Sequence, residues 1–226
     1  MRYGLRAGLT FLIGAALFAG LPLTAWGWSA WRGFLADPAR AAYLALALLL
    51  NLVISCRMPE VGKARERAKT TVARQRWAVV ALQLLALSLV LVPPFCDRRA
   101  LAVLPGAEGL RFAGLALYVG GLLLMHWTQA HLGRQFSVQV AIQDGHRLVT
   151  DGPYRRVRHP RYLGILLFSS GLALVFRSAL GLAAAVATAA VLLWRIRDEE
   201  ALMSAEFGPE WEAYARRTRR LLPWVW

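Results

Sequence analysis

Cysteine is nearly absent from this 226-residue chain: Cys56 and Cys96 stand at the ends of different apolar runs. Neither has metal-ligand spacing around it, which argues against a zinc cluster and against a disulfide framework. No glycine-rich fingerprint is present to cradle the phosphates of a dinucleotide. Acidic residues are scarce, 13 against 27 Lys and Arg, for a formal charge of +14. A nucleic-acid binder would carry such charge as a basic stripe on a soluble domain, and that stripe is missing. Internal repeats and low-complexity segments are missing too. No metal is implied, and no nucleic acid or obligate protein partner is evident.

What is abundant is apolar sequence. Hydrophobic residues make up 58% of the chain, in runs long enough to cross a bilayer. The expected fold is all-α, a polytopic helical membrane protein with about six membrane segments and C-terminal amphipathic helices. Residues 7–28 form the first apolar segment. A secretory signal would look similar, but the run is long for one and is followed by Trp26, Trp28 and Trp31, which suit an interfacial belt. Residues 41–56 form the second, with Asn51 as its one polar member. Arg57 to Arg76 reads as a solvated connection. Residues 77–95 follow, closed by Pro93-Pro94, then 109–131, 161–177 and 179–196. Only Arg177-Ser178 separates the last two, so they must form a tight hairpin.

Charge sets the expected orientation. With the N-terminus inside, Arg32, Arg40, Arg98, Arg99, Arg111 and Arg177 lie outside, and the other 21 of the 27 basic residues lie inside. The positive-inside rule favours both termini in the cytoplasm. It also puts residues 134–161 and 195–220 on one side.

Between the fourth and fifth segments runs His146 to Gly164, polar, basic and rich in rings. Gly152-Pro153 reads as a turn with Pro153 opening a short helix. His159 precedes Pro160 and is biased away from the helical region, while Pro160 can begin the next helix. The hairpin returns Arg195, Arg197, Asp198, Glu199 and Glu200 to the same side as His159 and Tyr162. Arg195 and Glu199 are one helical turn apart and can pair. Carboxylates near a membrane usually have a task, although a basic loop gripping lipid headgroups and snorkelling helix-end charges would look alike here. In the tail, Met203, Phe207, Trp211 and Tyr214 recur at helical spacing, and Gly208-Pro209 should divide it into two short amphipathic helices.

These residues form an ordered pattern. It runs His146-x-Leu148-Val149-Thr150-x-Gly152-Pro153-Tyr154, then Arg158-His159-Pro160-x-Tyr162-x-Gly164. Glu199-Glu200 and Phe207-Gly208-x-Glu210-Trp211-x-x-Tyr214 complete it. The pattern resembles the isoprenylcysteine carboxyl methyltransferase family over roughly residues 132–223, with Trp211 where the family often has Tyr. The resemblance implies a cytoplasm-facing S-adenosylmethionine site lined by His146, Leu148, Val149, Tyr154, Arg158, His159, Pro160 and Tyr162 and closed by Glu199. Arg195 and Glu200 match an Arg/Glu pair implicated in catalysis. It further implies residues 132–226 as the cofactor-binding catalytic region and residues 1–131 as transmembrane helices for substrate access and scaffold. The substrate would be lipid-like or prenylated, reaching a multi-pass protein of the bacterial inner membrane through the lipid. Three other readings stay open: an NADPH-dependent sterol or enone reductase, a lipid amine N-methyltransferase, and a non-enzymatic headgroup-binding scaffold.

Overall fold

The structure is a computed structural model that describes residues 2–57, 68–71, 75–106, 108–133, 141–143 and 147–222. The helices, in chain order, are α1 (Arg2–Ala15), α2 (Leu21–Trp26), α3 (Trp31–Leu35) and α4 (Pro38–Arg57). They continue as α5 (Gln75–Arg99), α6 (Gly109–Leu132), α7 (Pro160–Val175), α8 (Ala179–Phe207) and α9 (Pro209–Arg217). Five helical stretches are long and apolar enough to cross a membrane: Arg6–Trp26, Pro38–Cys56, Gln75–Arg99, Gly109–Leu132 and Ala179–Phe207. The fifth expected segment, α7, is apolar but only 16 residues long, about 24 Å at the helical rise. One feature lies outside the all-α expectation. β1 (Ala68–Thr71) and β2 (Ala141–Gln143) pair antiparallel, with Ala68 opposite Gln143 and Thr71 opposite Ala141.

The chain folds as two compact units. The first comprises Met1–Met58, Leu85–Gly121 and Leu167–Ala187. Its first helical stretch is not uniform: a π turn, Ala16–Gly20, joins α1 to α2. Pro22 cannot supply the N–H that the Phe18 carbonyl would take in α-helical register. The Tyr43 hydroxyl donates to that carbonyl at 2.7 Å instead. Asn51, the polar residue of the second segment, donates from Nδ2 to the Phe11 carbonyl at 2.7 Å. Aromatic contacts then run from Phe18 through Phe168 and Tyr118 to Tyr43, and on through Phe176 to Phe34 and Trp26, at centroid distances of 5.1–5.9 Å. Helices α6 and α7 approach closely where a Cβ on Gly171 would lie 2.3 Å from the Tyr118 nitrogen. Small residues of this kind let helices pack where lipid supplies no hydrophobic drive.

Two of the six basic residues expected on the outer side, Arg40 and Arg111, are buried in this unit. Asp37 precedes Pro38 and caps α4, accepting the Arg40 N–H at 2.9 Å. Arg111 grips Asp97 with both terminal nitrogens, at 2.9 and 2.8 Å, and reaches Asp37 at 3.2 Å. Arg40 donates to Asp97 at 3.0 Å and stacks 4.3 Å from the Trp26 ring centroid. Trp26 is therefore a buried partner of this cluster rather than an interfacial residue. The α7–α8 turn is pinned to the same unit. Arg177 takes a left-handed φ of 48°, and its guanidinium donates twice to the Leu104 carbonyl, at 3.0 and 2.6 Å. Ser178 caps α8 by accepting the Gly181 N–H at 3.0 Å.

Two expected helix ends lie elsewhere. Pro93 and Pro94 do not close the third segment, because α5 continues through them to Arg99. Nor does the sixth segment stop at 196: α8 runs unbroken to Phe207, so the first of the two expected tail helices is its last turns. The break comes at Gly208, φ 48°, where Pro209 starts α9.

Candidate active site in the second unit

The second unit comprises Pro59–Leu84, Leu122–Leu166 and Thr188–Trp226. Its apolar centre is Tyr162, Leu192, Ile196 and Leu221, with Leu82, Leu163, Ile165 and Leu166 packed against it. Gln75, at the start of α5, donates from Nε2 to the buried carboxylate of Asp198.

The motif loop is built as its prolines and glycine dictate. Gly152 has φ 53°, and a Cβ there would lie 2.5 Å from the His131 ring, so both conformation and space require glycine. A 3₁₀ turn follows at Gly152–Arg155, with Pro153 in its first positions. Tyr154 is buried, and its carbonyl accepts the Tyr214 hydroxyl of α9 at 2.8 Å. His131 bonds Asp151 at 2.9 Å, which holds that exposed carboxyl below its ordinary range. Pro160 then opens α7, and the Tyr162 and Leu163 N–H groups both donate to the His159 carbonyl, at 3.0 and 3.2 Å.

Five expected site residues meet here. The rings of His159 and Tyr162 stack with centroids 5.5 Å apart and planes within 4°. The Tyr162 hydroxyl donates to Glu199 Oε2 at 2.7 Å and accepts from Arg195 Nε at 3.2 Å. Arg195 and Glu199, one turn apart on α8, thus both bond the same hydroxyl. Consecutive residues on a helix point about 100° apart, so Glu199 and Glu200 diverge. His159 spans the gap, with Nδ1 3.6 Å from Glu199 and Nε2 3.4 Å from Glu200. Both ring nitrogens can donate only in the imidazolium form.

Glu200 sits with Arg158 Nε at 2.8 Å and Arg220 Nε at 2.9 Å, rather than with Arg195. Five residues along a helix amount to about 140° of rotation, which carries Arg195 and Glu200 to different faces. Leu148 and Val149 lie half-buried in a stretch without helix or strand before the turn. Pro160 is buried. His146 lies outside the described residues. Sequence reasoning passed over Arg220, and also Arg161, which donates to Gln129 at 3.3 Å. No local signal marks either, since each partner is distant in the chain.

The His159 environment gives a pH dependence. Burial alone would lower its pKa, but the Glu199 and Glu200 carboxylates outweigh that and hold it above the ordinary value. A raised folded pKa contributes stability that is fully present below the unfolded value, about 6.5, and lost as pH rises through the folded one. The stability advantage of wild type over His159→Gln, measured by detergent thermal unfolding from about pH 5 upward, should therefore be largest near pH 6 and fade in alkali. An advantage that grows with pH would contradict the imidazolium assignment.

Residues 114–205 match the model of the Isoprenylcysteine carboxyl methyltransferase (ICMT) family. This segment, under half of the chain, is similar to the isoprenylcysteine carboxyl methyltransferase family. The match begins inside α6 and ends within α8, so it takes in the motif loop, Arg195 and both glutamates but not α9. A probable protein-S-isoprenylcysteine O-methyltransferase from Oryza sativa subsp. indica is 30% identical over 121 residues, covering 50% of this chain and 61% of the rice protein. The nickel-cobalt-cadmium resistance protein NccN from Alcaligenes xylosoxydans xylosoxydans is 37% identical over 99 residues, 42% of this chain and 46% of its own. The chain thus spans under two thirds of these relatives. A solved structure described as the eukaryotic intramembrane Ras methyltransferase ICMT aligns over 97% of this chain and 74% of its own, at 20% identity and a TM-score of 0.47. With five helical stretches long and apolar enough to cross a membrane, the chain is an integral membrane protein.

Proposed function

We propose that this chain is a membrane methyltransferase that moves a methyl group from S-adenosylmethionine to the carboxylate of a prenylcysteine-type or otherwise lipid-like acceptor. The observation that carries the reading is the chain of bonds Arg195–Tyr162–Glu199–His159–Glu200, which lies within the family-matched segment. S-adenosylmethionine presents an ammonium, a carboxylate, a sulfonium and an adenine, and this residue set suits each kind of group. Glu199, with 27% of its side chain exposed, is a carboxylate for the ammonium. The stacked His159 and Tyr162 rings, with Tyr154, Pro160, Leu148 and Val149, are surfaces for the adenine and the sulfonium. When bound, the cofactor supplies an electrophilic methyl group.

The protein's own task is then positioning. An acceptor carboxylate is ionised at neutral pH, so no general base is needed. Arg195, only 4% exposed, orients that carboxylate through its planar fork, with Tyr162 holding its Nε edge. Burial keeps water from the reacting charges. Residues 132–226 act as the cofactor-binding catalytic region and residues 1–131 as substrate access and scaffold. Both termini face the cytoplasm by charge asymmetry, in what we take to be a bacterial inner membrane.

The test is calorimetric titration of detergent-purified protein with S-adenosylmethionine and, separately, with NADPH. S-adenosylmethionine should bind, and Glu199→Gln or His159→Ala should each weaken it while the protein stays folded. Binding of NADPH alone would favour the reductase reading. Methyl transfer to a panel of lipidated thiol-acetic and cysteine carboxylates then identifies the acceptor class.

A further inference from the structure

The segment after α9, Thr218 to Leu222, is laced along the motif loop. Val157 and Arg219 form a parallel bridge. The Arg158 N–H donates to the Arg219 carbonyl at 2.7 Å, the Arg219 N–H to the Arg156 carbonyl at 3.0 Å, and the His159 N–H to the Arg220 carbonyl at 3.0 Å. Leu221 is buried against Tyr162, Leu192 and Ile196. Arg158 holds the end of this strap. Its Nη1 donates to the Ala215 and Thr218 carbonyls, at 2.8 and 2.7 Å, satisfying acceptors that the end of α9 leaves open. Its Nε bonds Glu200 Oε1 at 2.8 Å, while Arg220 of the strap takes the other oxygen at 2.9 Å.

Resting on the methyltransferase reading, we propose that Arg158 is a positioning residue: by locking the C-terminal strap across the motif loop it fixes the Glu200 carboxylate for methyl transfer, and it does not itself contact the cofactor. Docking of the strap and placement of Glu200 are one event, because one arginine from each side grips the same carboxylate. Lysine cannot replace Arg158. A single ammonium has no second edge with which to reach a carboxylate and two carbonyls at once.

The strap and its approach carry Arg216, Arg217, Arg219 and Arg220, so trypsin reports its release in the full-length protein. Release of the C-terminal peptide is followed by mass spectrometry, beside S-adenosylmethionine affinity, kcat and KM for the acceptor. For Arg158→Gln we expect cleavage to speed up and kcat to fall, each by about tenfold or more, as loss of a charged hydrogen bond implies, with cofactor affinity within about threefold of wild type. Arg158→Lys should not rescue either property. Leu221→Ser, which loosens the strap without touching Arg158, should reproduce the pattern and serves if Arg158→Gln does not fold. A strap that stays protected in Arg158→Gln, or a cofactor affinity that falls in step with kcat, overturns the proposal. Failure of the wild type to bind S-adenosylmethionine would defeat the methyltransferase reading instead, and the trypsin arm still reports on the strap.

Discussion

Arg195→Lys should lower turnover about 100-fold, with S-adenosylmethionine affinity changed far less. The side chain is buried at 4% exposure, and its Nε is committed to the Tyr162 hydroxyl at 3.2 Å. Lysine keeps the charge but loses the planar arrangement that lets one edge hold Tyr162 while another presents donors to a carboxylate. Loss of charge-assisted bonds made to the acceptor is worth about 1.5–3 kcal/mol, which converts to roughly ten- to more than 100-fold in rate. On the role proposed for Arg195, the lost contact is one made to the acceptor and the transition state, so kcat/KM should fall while cofactor binding persists. Tyr162→Phe is the companion variant: it removes the hydroxyl that holds Arg195 and Glu199, so turnover and cofactor affinity should both decline. Normal methyl transfer by Arg195→Lys would reduce Arg195 to a helix-end anchor. A parallel loss of cofactor affinity would move it into the cofactor's own set of contacts.

The convergence behind that prediction was legible in the sequence for a physical reason. Two apolar segments joined by Arg177-Ser178 can only form a hairpin, and a hairpin returns residue 199 to the level of residue 159. Pro160 marked the start of α7, and the residue before a proline is held out of the helix, which leaves His159 at the helix mouth. The pairing of individual charges was not legible. Glu200 found Arg158 and Arg220 because α8 rotates it away from Arg195, and because a strap about 60 residues beyond the loop folds back onto it. Contacts of that sequence separation leave no periodic trace.

Helix ends failed for another reason. The stretch from Arg195 to Phe207 is charged, which suggested an exit from the membrane helix, but its residues are good helix formers and nothing interrupts them before Gly208. The tail helix itself was readable. Trp211 and Tyr214 are buried on one side of α9, Glu210 and Glu212 lie in its first turn, and Arg216 and Arg217 lie in its last. That charge order complements the helix dipole. The Asp37-Pro38 pair was a signal left unread: an acidic cap followed by proline announces a helix start, and it placed one carboxylate of the buried cluster.

Asp97→Ala should destabilise the protein by about 3–5 kcal/mol, a drop in apparent Tm on the order of 10 °C for a chain of this size. Asp97 accepts from Arg111 twice and from Arg40 once, all within 3.0 Å, with its side chain 4% exposed. Its removal leaves two buried guanidinium groups sharing the Asp37 carboxylate, at 3.2 and 3.6 Å, with Glu108 as a further, weaker influence on Arg111. Burying charge is costly, and the cost is offset only while opposite charges balance. The same reasoning sets the control. Replacing Asp97 and Arg111 together by Leu and Met removes one charge of each sign and leaves Asp37 with Arg40, so the double variant should lose much less than either single change. Buried pairs have been exchanged for apolar residues with little loss in other proteins. A double variant as unstable as Asp97→Ala would show that the cluster is held by hydrogen-bond geometry, such as the 2.7 Å bond from Arg111 to the Val175 carbonyl, rather than by charge balance. Thermal unfolding of the detergent-purified variants at one scan rate makes the comparison.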